Sequence, residues 1–128
     1  LVDVFLPNEP ELAGVSGLDD PVEGLRELAN GRTIVVAKLG SRGAMALDGD
    51  KVVHVPAFDV QAVDTTGAGD SFDAGFLHGF CRGLPLEQCL VWGTAAGALS
   101  VRGLGGTTSQ GNAAEVEDLI HTRQRLPR

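Results

Sequence analysis

Tyrosine is absent from this chain and tryptophan occurs once, so aromatic residues make up only 5% of it. That argues against a surface built to stack unpaired nucleobases. Basic residues are scarce as well: 10 Lys and Arg stand against 17 Asp and Glu, a formal charge of −7. A protein that grips a nucleic-acid backbone normally carries the opposite sign, so no nucleic-acid partner is expected. Small anions remain admissible, because backbone dipoles hold phosphate locally whatever the net charge. Cysteine is limited to Cys81 and Cys89, in neither a CxxC nor a zinc spacing, which reads as reduced thiols in a cytoplasmic protein. No apolar run approaches the roughly 20 residues that span a bilayer. The opening "LVDVFLPNEPEL" has neither the basic region nor the cleavage site of a signal peptide, so no membrane partner is expected. It also lacks an initiator methionine and starts on strand-like residues, which reads as the middle of a longer chain.

What is present suits one folded domain: 128 residues, of which 43% are hydrophobic. Residues 1–6 form a short apolar run closed by Pro7 and read as a buried strand. Residues 10–15 suit a helical turn or two, and a helix is expected from Pro21 to Asn30, begun by Asp19 or Asp20 and stopped by Gly31. A second buried strand covers 32–40. Alternating runs on either side of Asp48-Gly49-Asp50 predict a hairpin over 43–56. Helices follow at 68–82 and 85–102, then the loop "GLGGTTSQGN" and a short amphipathic helix over 115–124. Strand, helix, strand, hairpin and helices in this order predict an α/β sheet with helices on its faces.

The stretch "DTTGAGDSF", residues 64–72, sets bare backbone beside an acid just where a helix starts. Glycine lowers helix stability, so Gly67 and Gly69 require a reason. One reason is an anion: the amides of Gly67, Ala68 and Gly69 would be unpaired donors at a helix N-terminus, backed by the helix dipole. Asp70 then lies in the first turn, where a carboxylate could take a proton from an incoming hydroxyl. Donors for a phosphoryl group and a base for an alcohol are the parts of phosphoryl transfer. A tight loop with an ordinary acidic helix start accounts for the same residues. A Walker-type phosphate loop does not, since no GxxxxGK[ST] occurs.

Four segments in order carry a resemblance. "DTTGAGDSFDAGF" resembles the C-terminal signature of the PfkB, or ribokinase-like, carbohydrate kinases. "LPNEPE" at 6–11 resembles their Asn-x-x-Glu motif, "VAKLGSRGAMAL" at 36–47 their nucleotide-binding strand and turn, and "AAGALSVRGLGG" at 95–106 the helix and loop after the catalytic helix. The resemblance implies a ribokinase-like, three-layer αβα (Rossmann-like) fold. Residues 1–128 would be its C-terminal, nucleotide-binding and catalytic portion with the hairpin, the N-terminal sugar-binding half and lid being absent.

The same resemblance implies ATP-dependent phosphorylation of a sugar or sugar-like alcohol. Asp70 would be the general base, and Gly67, Ala68 and Gly69 the anion hole. Asn8 and Glu11 would orient magnesium and the ATP phosphates through water, and Lys38, Gly40 and Gly43 would line the nucleotide site. Lys38 stands where many relatives have threonine, and Asp73 where many have asparagine. Potassium is implied beside the anion hole at Asp64, Thr66, Ser100, Gly103, Gly105 and Ser109, although Asp64 reads equally as a turn cap. His78 is expected to pack or face solvent, His54 and His121 lack partners at metal-ligand spacing, and Met45 and Trp92 read as packing residues. The isolated chain is expected to be inactive, a nucleotide-binding piece without turnover of its own. Which sugar is used, and whether the full-length protein dimerises, are left open.

Overall fold

The computed structural model describes residues 3–58, 67–102 and 113–125, which fall in two compact units, 1–56 and 57–128. In the first, β1 (Asp3–Phe5) is followed by α1 (Glu9–Ser16), α2 (Pro21–Leu28) and β2 (Thr33–Lys38). A single turn of 3₁₀ helix, Gly40–Arg42, leads into β3 (Ala44–Asp48) and β4 (Lys51–Val55). The sheet order is β1-β2-β3-β4, with β1 parallel to β2 in the register Val4↔Ile34, and the remaining pairs antiparallel. The hairpin pairs Asp48 with Lys51, so Gly49 and Asp50 make the two-residue turn.

Alternation along β2 decides what it buries. Val35, Ala37 and then Leu39 pack with Leu12 of α1 and Leu25 of α2, joined by Phe5, Met45 and Leu47. Val36, Ala44, Ala46 and Val55 are also buried, which accounts for the nearly continuous apolar run of β2. Asp20 starts α2 by accepting from the Glu23 amide at 3.0 Å, with Pro21 in the first turn. That helix ends at Leu28 rather than Asn30. The Asn30 side chain accepts from the amides of Arg32 and Thr33 at 2.9 and 2.8 Å, turning the chain into β2 instead of continuing the helix.

The second unit contains α3 (Ala68–Cys81), α4 (Leu86–Arg102) and α5 (Ala113–Arg125), close to the bounds expected. Phe58, Ala95, Ala96, Ala98, Leu99, Val116 and Ile120 form its core, with Trp92 packed against it. The contact between α3 and α4 is unusually close because glycine lies on both sides. A Cβ at Gly75 would sit 2.5 Å from the backbone oxygen of Trp92 and 2.8 Å from the Ala96 methyl. A Cβ at Gly93 would meet the Phe72 ring at 2.8 Å. The helices therefore touch backbone to side chain, and Phe72 and Phe76 are buried.

Two glycine substitutions should move stability in opposite directions. Gly75→Ala forces α3 and α4 apart and is expected to cost ~1–3 kcal/mol. Gly14→Ala adds a methyl in α1 where nothing lies within 4 Å, and should stabilise by roughly 0.5–1 kcal/mol. Denaturant unfolding of the full protein measures both; a Gly75→Ala protein as stable as wild type would contradict the close contact.

Candidate active site

The first group of expected residues is gathered at the start of α3. Gly67 is its N-cap with φ 82° and ψ 0°, a left-handed backbone that glycine adopts without the penalty a Cβ brings. Among the described residues no side chain caps this end. The first helical hydrogen bond runs from the Ser71 amide to the Gly67 carbonyl at 2.9 Å. The amides of Ala68, Gly69 and Asp70 thus precede the helical ladder, as the geometry of any helix start requires. Of the three residues expected here, Ala68 and Gly69 contribute first-turn amides together with Asp70, while Gly67 is the cap residue.

The Asp70 side chain is exposed, while Ser71 and Phe72 immediately after it are buried. Asp70 borders a cavity of about 270 Å³ together with Ala74, Gly75, His78, Trp92 and Val116. His78 is a packed residue: its ring stacks on Trp92 with centroids 4.5 Å apart, and Arg82 Nη1 donates to its Nδ1 at 2.9 Å. Asp73 is half-buried on the same helix. Ser100 is buried on α4. The other residues of the implied potassium site, Asp64, Thr66, Gly103, Gly105 and Ser109, lie outside the described residues.

The second group surrounds the start of α1. The Lys38 amide donates to the Pro7 carbonyl at 2.9 Å, and Asn8 forms an isolated parallel bridge with Lys38. That pairing brings the Asn-x-x-Glu motif beside the end of β2. Asn8 Oδ1 accepts from the Glu11 amide, and Glu11 Oε1 accepts from the Asn8 amide, each at 2.9 Å. The motif is therefore a reciprocal capping box. It uses one oxygen of each side chain, leaving the Asn8 amino group and Glu11 Oε2 for other partners. A single carboxylate oxygen, Glu11 Oε2, fits contact with a water of a magnesium ion that keeps most of its waters. Among the described residues no three His, Cys, Asp or Glu side chains cluster to hold a metal directly.

Past β2, Gly40 has φ 60°, and Gly43 has φ 92° with ψ −133°, a pair of values reserved to glycine. Arg42, between them, pairs with Glu9 of α1. His54 Nε2 donates to the Arg42 carbonyl at 2.8 Å. Sequence reasoning missed the Glu9–Arg42 pair and this role of His54. Their separations of 33 and 12 residues offer no local pattern, whereas the capping box was readable from Asn-x-x-Glu. The two cysteines differ in environment. Burial pushes the Cys89 thiol up, offset in part by a backbone hydrogen bond, and Cys81 is exposed. Among the described residues no helix is long and apolar enough to cross a membrane.

Residues 1–112 match the family described as pfkB family carbohydrate kinase. The chain is 42% identical over 86 residues to an uncharacterized sugar kinase of Archaeoglobus fulgidus, covering 67% of this chain and 34% of that protein. It is 36% identical over 113 residues to a deoxyribokinase of Salmonella typhi, covering 84% and 37%. The solved ribokinase of Thermotoga maritima superposes with a TM-score of 0.82 at 34% identity, covering 93% of this chain and 42% of that one. The Arabidopsis thaliana ribokinase complexed with ribose and ATP gives 0.81 at 32%, covering 92% and 40%. Escherichia coli phosphofructokinase-2 in complex with potassium gives 0.82 at 25%, covering 96% and 41%. The fold is thus the ribokinase-like α/β class, and the chain spans little more than a third of the length of these curated relatives.

Loss of the cap should be visible as stability. Asn8→Ala removes the acceptor of the Glu11 amide and is expected to cost about 1 kcal/mol, while Asn8→Ser should retain most of it. Urea unfolding measures both variants; an Asn8→Ala protein as stable as wild type would show that the box contributes nothing to α1.

Proposed function

The chain belongs to the pfkB family of carbohydrate kinases, and on that footing we propose that residues 1–128 are the nucleotide-binding and catalytic portion of an ATP-dependent kinase for a sugar or sugar-like alcohol. The observation that carries the reading is the start of α3: first-turn amides behind a left-handed glycine cap, without a side-chain cap among the described residues, beside an exposed carboxylate. Asp70 takes the proton from the acceptor hydroxyl as its oxygen bonds to the γ-phosphorus and the bond to the β-phosphate oxygen breaks. The amides of Gly67, Ala68 and Gly69 accept the charge that spreads over the phosphoryl oxygens, helped by the positive end of the helix. Magnesium would offset charge on the β- and γ-oxygens; Asn8 and Glu11 would orient its water ligands. Lys38, Gly40 and Gly43 would line the nucleotide, with the backbone at the two glycines drawn close to it.

Two of the solved relatives support this assignment of ligands, one binding ribose and ATP and the other potassium. A second reading is favoured by coverage of little more than a third of the curated relatives. In it the chain alone holds nucleotide without turnover, because acceptor binding belongs to residues outside these 128.

Asp70→Asn in the full-length kinase tests the base. It preserves shape, so nucleotide binding should persist while kcat falls by ~10²–10⁴-fold. Turnover at the wild-type rate would overturn the assignment. The cation is tested separately: potassium should raise kcat over sodium or a bulky organic cation, and Asp64→Ala should abolish the difference. Equal rates in all three salts at matched ionic strength would exclude the potassium role.

A further inference from the structure

The polar groups at the start of α1 are acidic, which is the wrong sign for a nucleotide. Glu9 and Glu11 both lie in its first turn, where the helix dipole favours them. A polyphosphate brought to the same place meets two carboxylates. Lys38, paired through its backbone to Asn8, and Arg42 are the cations these contacts bring to that end. Arg42 is placed with care for a surface residue. Its side chain is 62% exposed, yet its guanidinium pairs with Glu9 and its carbonyl is held by His54 from β4. The turn that bears it is fixed further by bonds from the Arg42 amide to Leu39 and from the Leu39 amide to Gly43, at 3.1 and 2.8 Å.

Resting on the nucleotide site assigned above, we infer that Arg42 is a positioning residue whose task is to neutralise Glu9, so that the acidic start of α1 admits a magnesium nucleotide. Glu11 then remains as the one carboxylate charge at that end, and it is the one assigned to the metal's water shell. An exposed pair of this kind adds little to folding. Its effect is instead on the potential felt by an approaching anion, and removing only the cation leaves a like charge beside the phosphates.

Because Glu9 is the reason Arg42 is needed, second-site rescue provides the test. Affinity for MgATP is measured by calorimetry on the full-length protein, with thermal midpoints for each variant. Arg42→Ala should weaken MgATP binding roughly ten-fold, and adding Glu9→Gln should restore it to within about three-fold of wild type. Glu9→Gln alone should bind as well as wild type or better, and Arg42→Lys, which keeps the charge, should stay close to wild type. Thermal midpoints should agree to within about 2 °C throughout, as an exposed pair dictates. If the loss persists undiminished in the double variant, Arg42 does not act by neutralising Glu9 and the inference is overturned. It is overturned equally if Arg42→Ala binds normally. No MgATP binding by the wild-type protein would overturn the nucleotide site itself, and the inference with it.

Discussion

The placement of α3 depends on how closely it can lie against α4. The backbone oxygen of Trp92 occupies the space where a side chain at residue 75 would stand, and the Phe72 ring fills the corresponding space at residue 93. Phe72 follows Asp70 by two positions, so the contact that buries the ring also sets the direction of the first turn. A second methyl-sized gap or bump in this seam would be felt directly at the carboxylate. The cavity bordered by Asp70 is walled by the same densely packed seam, through Gly75 and Trp92.

Two helix starts in this protein solve one problem in opposite ways. Every helix leaves its first amides without internal acceptors. At α1 the chain supplies acceptors from its own side chains, Asn8 and Glu11 answering each other across one turn. At α3 the cap is a glycine, which has no side chain to offer, and the acid that follows is exposed rather than folded back. The first arrangement stabilises the helix; the second leaves the first-turn amides without an acceptor from their cap residue. The Asn-x-x-Glu motif of this chain thus spends one oxygen of each side chain on holding its own helix start.

Much of the fold was legible because local signals agreed with the burial they served. The apolar run of β2, the Gly-Asp turn of the hairpin and the helical spacing of Phe72, Phe76 and Phe80 all announce themselves within a few residues. The start of α3 was legible too: the glycine stretch marks it, and Gly67 caps it in a left-handed backbone that glycine adopts freely. The end of α2 was not, because the decision rests on the Asn30 side chain choosing the Arg32 and Thr33 amides over another helical turn. Glu9 and Arg42 were illegible for a different reason: their meeting is a product of the β1–α1–α2–β2 crossover, and nothing near either residue encodes it. The close approach at Gly75 and Gly93 was illegible as well, because the atoms each glycine meets belong to the other helix.

The scarcity of aromatic residues has a practical side. Trp92 is the sole indole of the chain, and it stands where α4 meets α3, with the His78 ring stacked upon it and the Asp70 cavity at its edge. Near-ultraviolet excitation above the phenylalanine band therefore lights one point of these 128 residues. Emission from that point changes when the rings unstack, when the helices separate or when a molecule enters the cavity. The chain carries its own optical probe at the seam that orients its proposed base.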